Sequence, residues 1–420
     1  MGEIYHDDTT CRRIPSLAPP CEGGGFNHYL TLSPRGGRGL TMARSLPEVA
    51  RLPMNQRPRI LHLISRLDGY GGARMLRRLA ASQASGDGRV IVAALTAADG
   101  PAHEGRDAGV AVQVLGSRWP VDVVALARLN RLRRNVAVDV VHTWDLASLM
   151  HAAFTRRRAH GEAIVATLDA THTGRSWAPS AVRSILRRIA MFVAGDEATR
   201  DWLLRQGVAA DRIQVIPPGV PAASPPALPR AERLGRLSLP ADARVIAVAG
   251  PLRRRKNFDE AIWCFELVRV LHESARLLVI GDGPDRARLE RFARQVSEPG
   301  CVRLLGYRDD MADLLPLADV YWQLDAATTT PLALLEAMAA GVPAVASDVP
   351  AHRAVIRPAE TGCLAPPGNR AETARLTDEM LGDRPWAARL GAAGAALVAE
   401  RWSLDAAIAA FGRLYDRVGR

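Results

Sequence analysis

Three short segments carry residue types that could hold an anion and a carbohydrate. Gly71-Gly72 stands between the apolar run RILHLIS and the amphipathic run ARMLRRLAAS. A glycine pair at such a junction exposes backbone N–H groups at the positive end of a helix dipole. It is also what a tight turn needs, and the GxGxxG spacing of a dinucleotide site is missing. Residues 251–257, PLRRRKN, link a second apolar run to a second amphipathic one, so Lys256 falls just before a helix N-terminus, where an ammonium could meet a phosphate. A run such as RRRK is also an ordinary solvated surface, but Lys256 is the only lysine among 55 basic residues.

The third segment, TTTPLALLEAMAAG at 328–341, has helix ends written into it: Thr330 as N-cap, Pro331 at the first helical position and Gly341 past the last turn. Glu336 then lies in the second turn of an otherwise apolar helix, where a carboxylate is costly unless it accepts hydrogen bonds. Sugar or ribose hydroxyls would supply them, and so would a structural salt bridge. Thr328, Thr329 and Thr330 put hydroxyls and unpaired N–H groups at the helix start, suited to an anion.

Positioning these segments requires alternating strands and helices. Short apolar runs recur at 59–65, 90–95, 110–115, 138–142, 163–168 and 191–194 with helical patterns between them, which implies a parallel, doubly wound sheet. Seven prolines between 217 and 240 interrupt regular structure, and the alternation then restarts through VIAVAG, LLVIG, CVRLLG, ADVYWQL and VPAVASD. The expected organisation is an irregular Gly/Pro/Arg-rich leader over 1–57, with Met42 as an alternative start, a Rossmann-like domain over 58–220, a Pro-rich linker over 221–243, a second Rossmann-like domain over 244–402 and a C-terminal helix over 403–420. In sheets of this kind ligands bind at the carboxyl ends of the strands.

Composition narrows the classes. At 48% hydrophobic and 24% charged the 420-residue chain is globular, and its length favours two domains. The most apolar stretch, 331–346, contains Glu336 and is broken by Gly341 and Pro343, so no spanning helix is expected. The N-terminus lacks a basic, apolar leader, which favours a cytoplasmic address. The five cysteines form no CxxC pair and read as free thiols, with no metal site expected. The net charge of +11 concentrates in residues 58–220, with 22 basic against 14 acidic residues. No RNP, KH or zinc-finger pattern accompanies it, so an anionic membrane surface or phosphorylated substrate is expected rather than nucleic acid.

Taken together, the motifs resemble glycosyltransferase family 4, retaining enzymes of the GT-B fold, from about residue 59 onward. GGA at 71 is similar to that family's GGAE turn, DVVHTWD at 139 to its DVVHxH strand, and EATRDWLLRQGV with RIQVIPPGV to its EATRxxLxxxG and IxVIPNGVD segments. AGPLRRRKN resembles its GRLxxxKG phosphate loop, GDGP at 281 its GDGP turn, LLEAMAAGVPAVASD its LLEAMAxGxPVVASD, and TGCLAPPGN its TGLLVPPGD. The resemblance implies transfer of a sugar from a nucleotide-sugar donor, itself a substrate, to a glycan or lipid-linked acceptor, without cofactor or metal. It also implies that the C-terminal domain holds the donor and the N-terminal domain meets the acceptor, with the last helix crossing back onto the N-domain. On this basis Gly71, Gly72, Arg255, Lys256, Gly281, Gly283, Thr328, Thr329, Thr330 and Glu336 are expected at the donor.

The departures from the pattern are specific. Pro251 replaces the arginine of GRL with Arg253, Arg254 and Arg255 close behind, Thr328 replaces the first glutamate of E-x7-E, Arg74 the glutamate of GGAE, and Pro218 the asparagine of NGVD. Asp169 stands where the family has its active-site histidine, with His172 three residues on; Asp169, His172 and Lys256 are the expected catalytic groups. Two readings follow: an active transferase with altered donor preference, or a catalytically impaired GT-B protein that binds nucleotide or glycan without transfer.

Overall fold

The computed structural model describes residues 58–84, 90–96, 110, 112–119, 122–155, 161–168, 185–187, 189–327 and 329–419. Asp169, His172, Thr328 and the leader over 1–57 lie outside the described residues.

The strand β1 (Ile60–Arg66) shows why these sequences form buried parallel strands. Ile60 and Ile64 point into one apolar layer while Leu61 and Leu63 point into another, so both faces of the strand are covered. β2 (Val90–Thr96), β3 (Val112–Val114), β4 (Val140–Thr143), β5 (Ala163–Leu168), β6 (Met191–Ala194) and β7 (Ile213–Val215) complete the first sheet. Its order is β3-β2-β1-β4-β5-β6-β7, with every pair parallel. The helices α1 (Gly71–Gln83), α2 (Val123–Asn135), α3 (Leu146–Thr155) and α4 (Glu197–Arg205) lie between these strands in sequence.

The second sheet repeats the plan with β8 (Arg244–Ala249), β9 (Ala275–Ile280), β10 (Val302–Gly306), β11 (Val320–Gln323), β12 (Ala344–Ser347) and β13 (Cys363–Ala365), ordered β10-β9-β8-β11-β12-β13 and all parallel. In β8 the residues Val245, Ala247 and Ala249 serve one core layer and Ile246 and Val248 the other. The helices of this half are α5 (Arg230–Arg236), α6 (Phe258–Leu271), α7 (Arg286–Val296), α8 (Leu332–Ala339), α9 (Arg370–Gly382) and α10 (Arg384–Arg401). Cys264, Cys301 and Cys363 are buried free thiols.

The final helix, α11 (Leu404–Val418), leaves this half and packs on the first sheet. Val220 and Ser403 bridge where the two crossovers pass, and Ala407, Phe411, Leu414 and Tyr415 join the layer that contains Ile60 and Ile64.

Three expectations need correction. The segment 221–243 is not wholly irregular: Pro229 sits at the N-cap of α5, a position where proline costs nothing, and Leu234 anchors the helix in the second core. The helix α8 starts one residue late, with Pro331 in extended conformation as its N-cap and no side-chain cap. β7 and β13 are added outer strands, each three residues long, too short to show a hydrophobic period.

Candidate active site

Each sheet reverses its strand order at one place, between β1 and β4 in the first and between β8 and β11 in the second. Crevices open at such points. Here a cavity of about 470 Å³ lies against both, lined from the first half by Tyr70, Gly71, Gly72 and Arg74. From the second half come Gly250, Pro251, Arg255 and Lys256 after β8, Gln323 at the end of β11 and Asp325 just past it, and Thr329, Thr330, Leu332 and Ala333 at the start of α8. Gly281, Tyr307 and Arg308 close one side.

The expected residues Gly71, Gly72, Arg255, Lys256, Gly281, Thr329 and Thr330 therefore meet around one cavity, and two others do not. Gly283 is not among the lining residues; a Cβ there would stand 2.5 Å from the Leu252 carbonyl, so this glycine lets two loops touch. Gly281 is constrained in the same way, because a Cβ would come within 1.9 Å of the Gly250 carbonyl oxygen. Glu336 also lies outside the lining. Both of its carboxylate oxygens are taken, Oε2 by Arg74 Nη1 at 2.6 Å and Oε1 by Arg78 Nη2 at 2.5 Å. In this arrangement it has the salt bridge and not the free oxygens expected for ribose.

The Glu336 bridges are accompanied by other links across the cleft among the described residues. Arg74, Arg77 and Arg78 share a face of α1 by their spacing, opposite the buried Met75, Leu76 and Leu79. Arg77 Nη1 donates to the Tyr307 hydroxyl at 3.4 Å. The Tyr70 hydroxyl accepts the Asp282 N–H at 2.8 Å, and its ring meets Tyr307 edge-on at 5.6 Å. Burial pushes the Tyr70 hydroxyl up to about 12, so it stays protonated. The Thr330 hydroxyl, freed from capping α8, donates to Asp196 Oδ2 at 3.4 Å, while Asp196 caps α4 through the Thr199 N–H.

Lys256 is not a free ammonium. A 3-10 turn over residues 254–256 and left-handed Asn257 deliver it to the cavity wall, where its Nζ contacts Asp325 Oδ2 at 2.5 Å. Asp325 is 2% exposed and also accepts from Gln323 Nε2 at 2.5 Å; Gln323 in turn accepts from the Tyr321 hydroxyl. Glu336 pairs with Arg74, Asp310 with Arg308 and Asp325 with Lys256, so the cationic excess of the wall comes from Arg255 and from the second guanidinium, Arg78, that shares Glu336, and it suits a diphosphate. Among the described residues no group of three or more His, Cys, Asp or Glu is placed to hold a metal ion.

Sequence reasoning missed Tyr70, Tyr307, Asp325 and His352, which lies behind Asp325. Asp325 had a signal, since it follows β11 at the strand-order reversal, where the general rule for α/β sheets puts ligands. Tyr70 and Tyr307 had none, because their contact joins residues far apart in the chain.

Comparison with known proteins agrees with this fold. The family model described as Glycosyltransferase Family 4 matches residues 69–224, and that of Glycosyl transferases group 1 matches residues 230–396. A phosphatidyl-myo-inositol mannosyltransferase of Mycobacterium leprae is 30% identical over 302 residues, 70% of this chain and 77% of the relative. An exopolysaccharide phosphotransferase of Streptomyces coelicolor is 30% identical over 291 residues, 66% of this chain but only 28% of the relative's length. Among solved structures, the Anabaena protein HepE in complex with UDP and glucose superposes with a TM-score of 0.71 at 16% identity, covering 85% of this chain and 99% of its own. Sucrose-phosphate synthase of Thermosynechococcus elongatus gives 0.69 at 19% identity, covering 86% and 99%.

Proposed function

Because the chain belongs to glycosyltransferase family 4 and has the GT-B architecture, we propose that it transfers a hexosyl group from a nucleotide sugar to a glycan or lipid-linked acceptor with retention of configuration. The observation that carries this reading is the cationic cavity at the two strand-order reversals, with Lys256 held on its wall. Its volume falls in the range of small-molecule sites. The names of the relatives, a mannosyltransferase and a UDP complex, support a nucleotide sugar as donor.

The chemistry follows from charge. Departure of the nucleoside diphosphate concentrates negative charge on the leaving phosphate, and preorganised cations lower that barrier. Arg255 and Lys256, with the N–H groups at the start of α8, supply them, and the acceptor hydroxyl attacks from the side on which the leaving group departs. Asp169 or His172 would orient the sugar or relay the acceptor's proton. No cofactor or metal enters this scheme.

The N-terminal half would meet the acceptor, and one surface of it suits an anionic bilayer. Trp119 is 73% exposed and Val123 79%, with Val124 beside them, and Arg118, Arg131 and Arg134 are exposed in the same segment. An aromatic and aliphatic tip rimmed by arginines is the composition of a peripheral contact. Among the described residues no helix is long and apolar enough to cross a membrane.

A thermal-shift screen of nucleoside diphosphates and their sugars tests the donor reading, since a ligand of the folded state at 100 times its Kd adds about 2.7 kcal/mol. A shift with at least one of them, and none with the matching nucleosides, is expected; no shift with any would contradict it.

A further inference from the structure

His352 lies directly behind the donor wall and has an unfinished hydrogen-bond pattern. It is fully buried in the short helical turn Pro350–Arg353. Its Nδ1 is 2.8 Å from the Ser347 carbonyl oxygen, a group that can only accept, so Nδ1 carries the proton. Among the described residues its Nε2 has no hydrogen-bond partner, and it points towards Asp325 Oδ1 at 3.7 Å. A buried polar nitrogen without a partner is uncommon and calls for an explanation.

The charged groups facing it are few. Asp325, after β11, and Lys256, before α6, are the ones that act on it, while Asp348 and Arg353 of its own segment pair with each other at the surface. As the protein stands, Lys256 neutralises Asp325 at 2.5 Å. Burial holds the imidazole below its ordinary value, with the Ser347 carbonyl and Asp325 opposing that and Lys256 adding to it. His352 is therefore neutral at neutral pH, and its lone pair faces a carboxylate that has no proton to give.

A diphosphate in the cavity changes this balance. Lys256 is on the wall, and a phosphate draws its ammonium away from Asp325. Asp325, 2% exposed, would then keep only the Gln323 amide on Oδ1, and a buried carboxylate without a countercharge is costly. We propose that donor binding transfers Lys256 from Asp325 to the diphosphate and that His352 takes up a proton from solvent on Nε2, becoming the new partner of Asp325. The product of this exchange is a Lys256–phosphate contact and an imidazolium–carboxylate contact, with one proton gained and no other bond made or broken. His352 is then a positioning residue that keeps Asp325 satisfied while Lys256 serves the leaving group. The inference rests on the donor reading above.

The test is calorimetric titration of the full chain with UDP-glucose, UDP-N-acetylglucosamine, GDP-mannose and ADP-glucose, whose diphosphate diesters do not change their ionisation between pH 5 and 8, in buffers of different ionisation enthalpy. Uptake approaching one proton is expected, with affinity falling by up to roughly tenfold per pH unit as pH rises between the free and bound values of His352. His352→Asn keeps a donor for Ser347 and should bind without proton uptake; Asp325→Asn should also lose the uptake. Binding without proton uptake in the wild type, or uptake that persists in His352→Asn, overturns the coupling and leaves the donor reading intact. Failure of every nucleotide sugar to bind the wild type removes both.

Discussion

Arg74 and Glu336 meet across the cleft, one on each half of the molecule, with Nη1 2.6 Å from Oε2. Arg74 stands where the resembling family carries the glutamate of its GGAE turn. A glutamate there would face Glu336 as a like charge, whereas arginine makes the contact a bridge, to which Arg78 adds a second guanidinium. One substitution in a motif thus has a structural partner 262 residues away.

Glu336→Gln should therefore act first on the joining of the two halves. Breaking a fully buried ion pair typically costs about 3 to 5 kcal/mol. The arginines here are about a fifth exposed, so a loss of about 2 kcal/mol is expected, seen as a lower midpoint in denaturant unfolding. An unchanged midpoint with weakened nucleotide affinity would return Glu336 to the ribose.

Lys256→Met should weaken nucleoside diphosphate binding by about tenfold or more and leave nucleoside binding nearly unchanged. It should also destabilise the unliganded protein, because it removes the countercharge of buried Asp325, and adding Asp325→Asn should restore stability without restoring diphosphate affinity. Calorimetry with UDP and uridine, and with GDP and guanosine, reads the first effect and unfolding curves the second. Equal losses for nucleotide and nucleoside would remove the phosphate role.

The crossing helix α11 predicts an acid limit. It covers His62 and His142, both fully buried, with His142 Nδ1 2.7 Å from the Tyr415 hydroxyl and the Trp144 indole N–H donating to His62 Nδ1. Burial lowers His62 to about 4 and His142 well below its ordinary value. Between pH 6.5 and about 4 the unfolded chain binds protons that the folded chain cannot, so stability is intact above pH 6.5 and lost as pH falls. His62 alone should contribute about 1.4 kcal/mol per pH unit over that window, and His62→Gln should flatten the profile. Denaturant midpoints from pH 7.5 to 4.5 measure it; a profile unchanged by His62→Gln would contradict the assignment.

Contact with anionic vesicles should depend on both salt and the exposed tip. Exposed charges are screened over about 8 Å at physiological ionic strength, so flotation with phosphatidylglycerol vesicles should fall as salt rises. Trp119→Ser with Val123→Ser should reduce it at low salt without altering the melting temperature. Absence of binding at every salt concentration would remove the membrane version of the acceptor.

Much of the fold was legible in the sequence because parallel strands buried on both faces read as continuous apolar runs; β1 and β8 are examples. The cavity was legible through short-range signals: a glycine pair after β1, a basic loop after β8, and threonines before α8. Contacts between distant segments were not. Glu336 on an apolar helix suited a hydroxyl ligand or an arginine equally well, and only the placement of α1 across the cleft distinguishes them. The Lys256–Asp325–His352 array joins three segments distant in sequence with no common periodicity, so no local pattern announces it.

The central claim is that this cavity moves sugars. Incubating the protein with a panel of nucleotide sugars and following nucleoside diphosphate release, with and without a candidate glycan or lipid-linked acceptor, tests it most directly. Release from at least one donor, slowed on the order of 100-fold in Lys256→Met, is the predicted result. Nucleotide binding with no release from any donor would contradict it and leave a binding protein of the same fold.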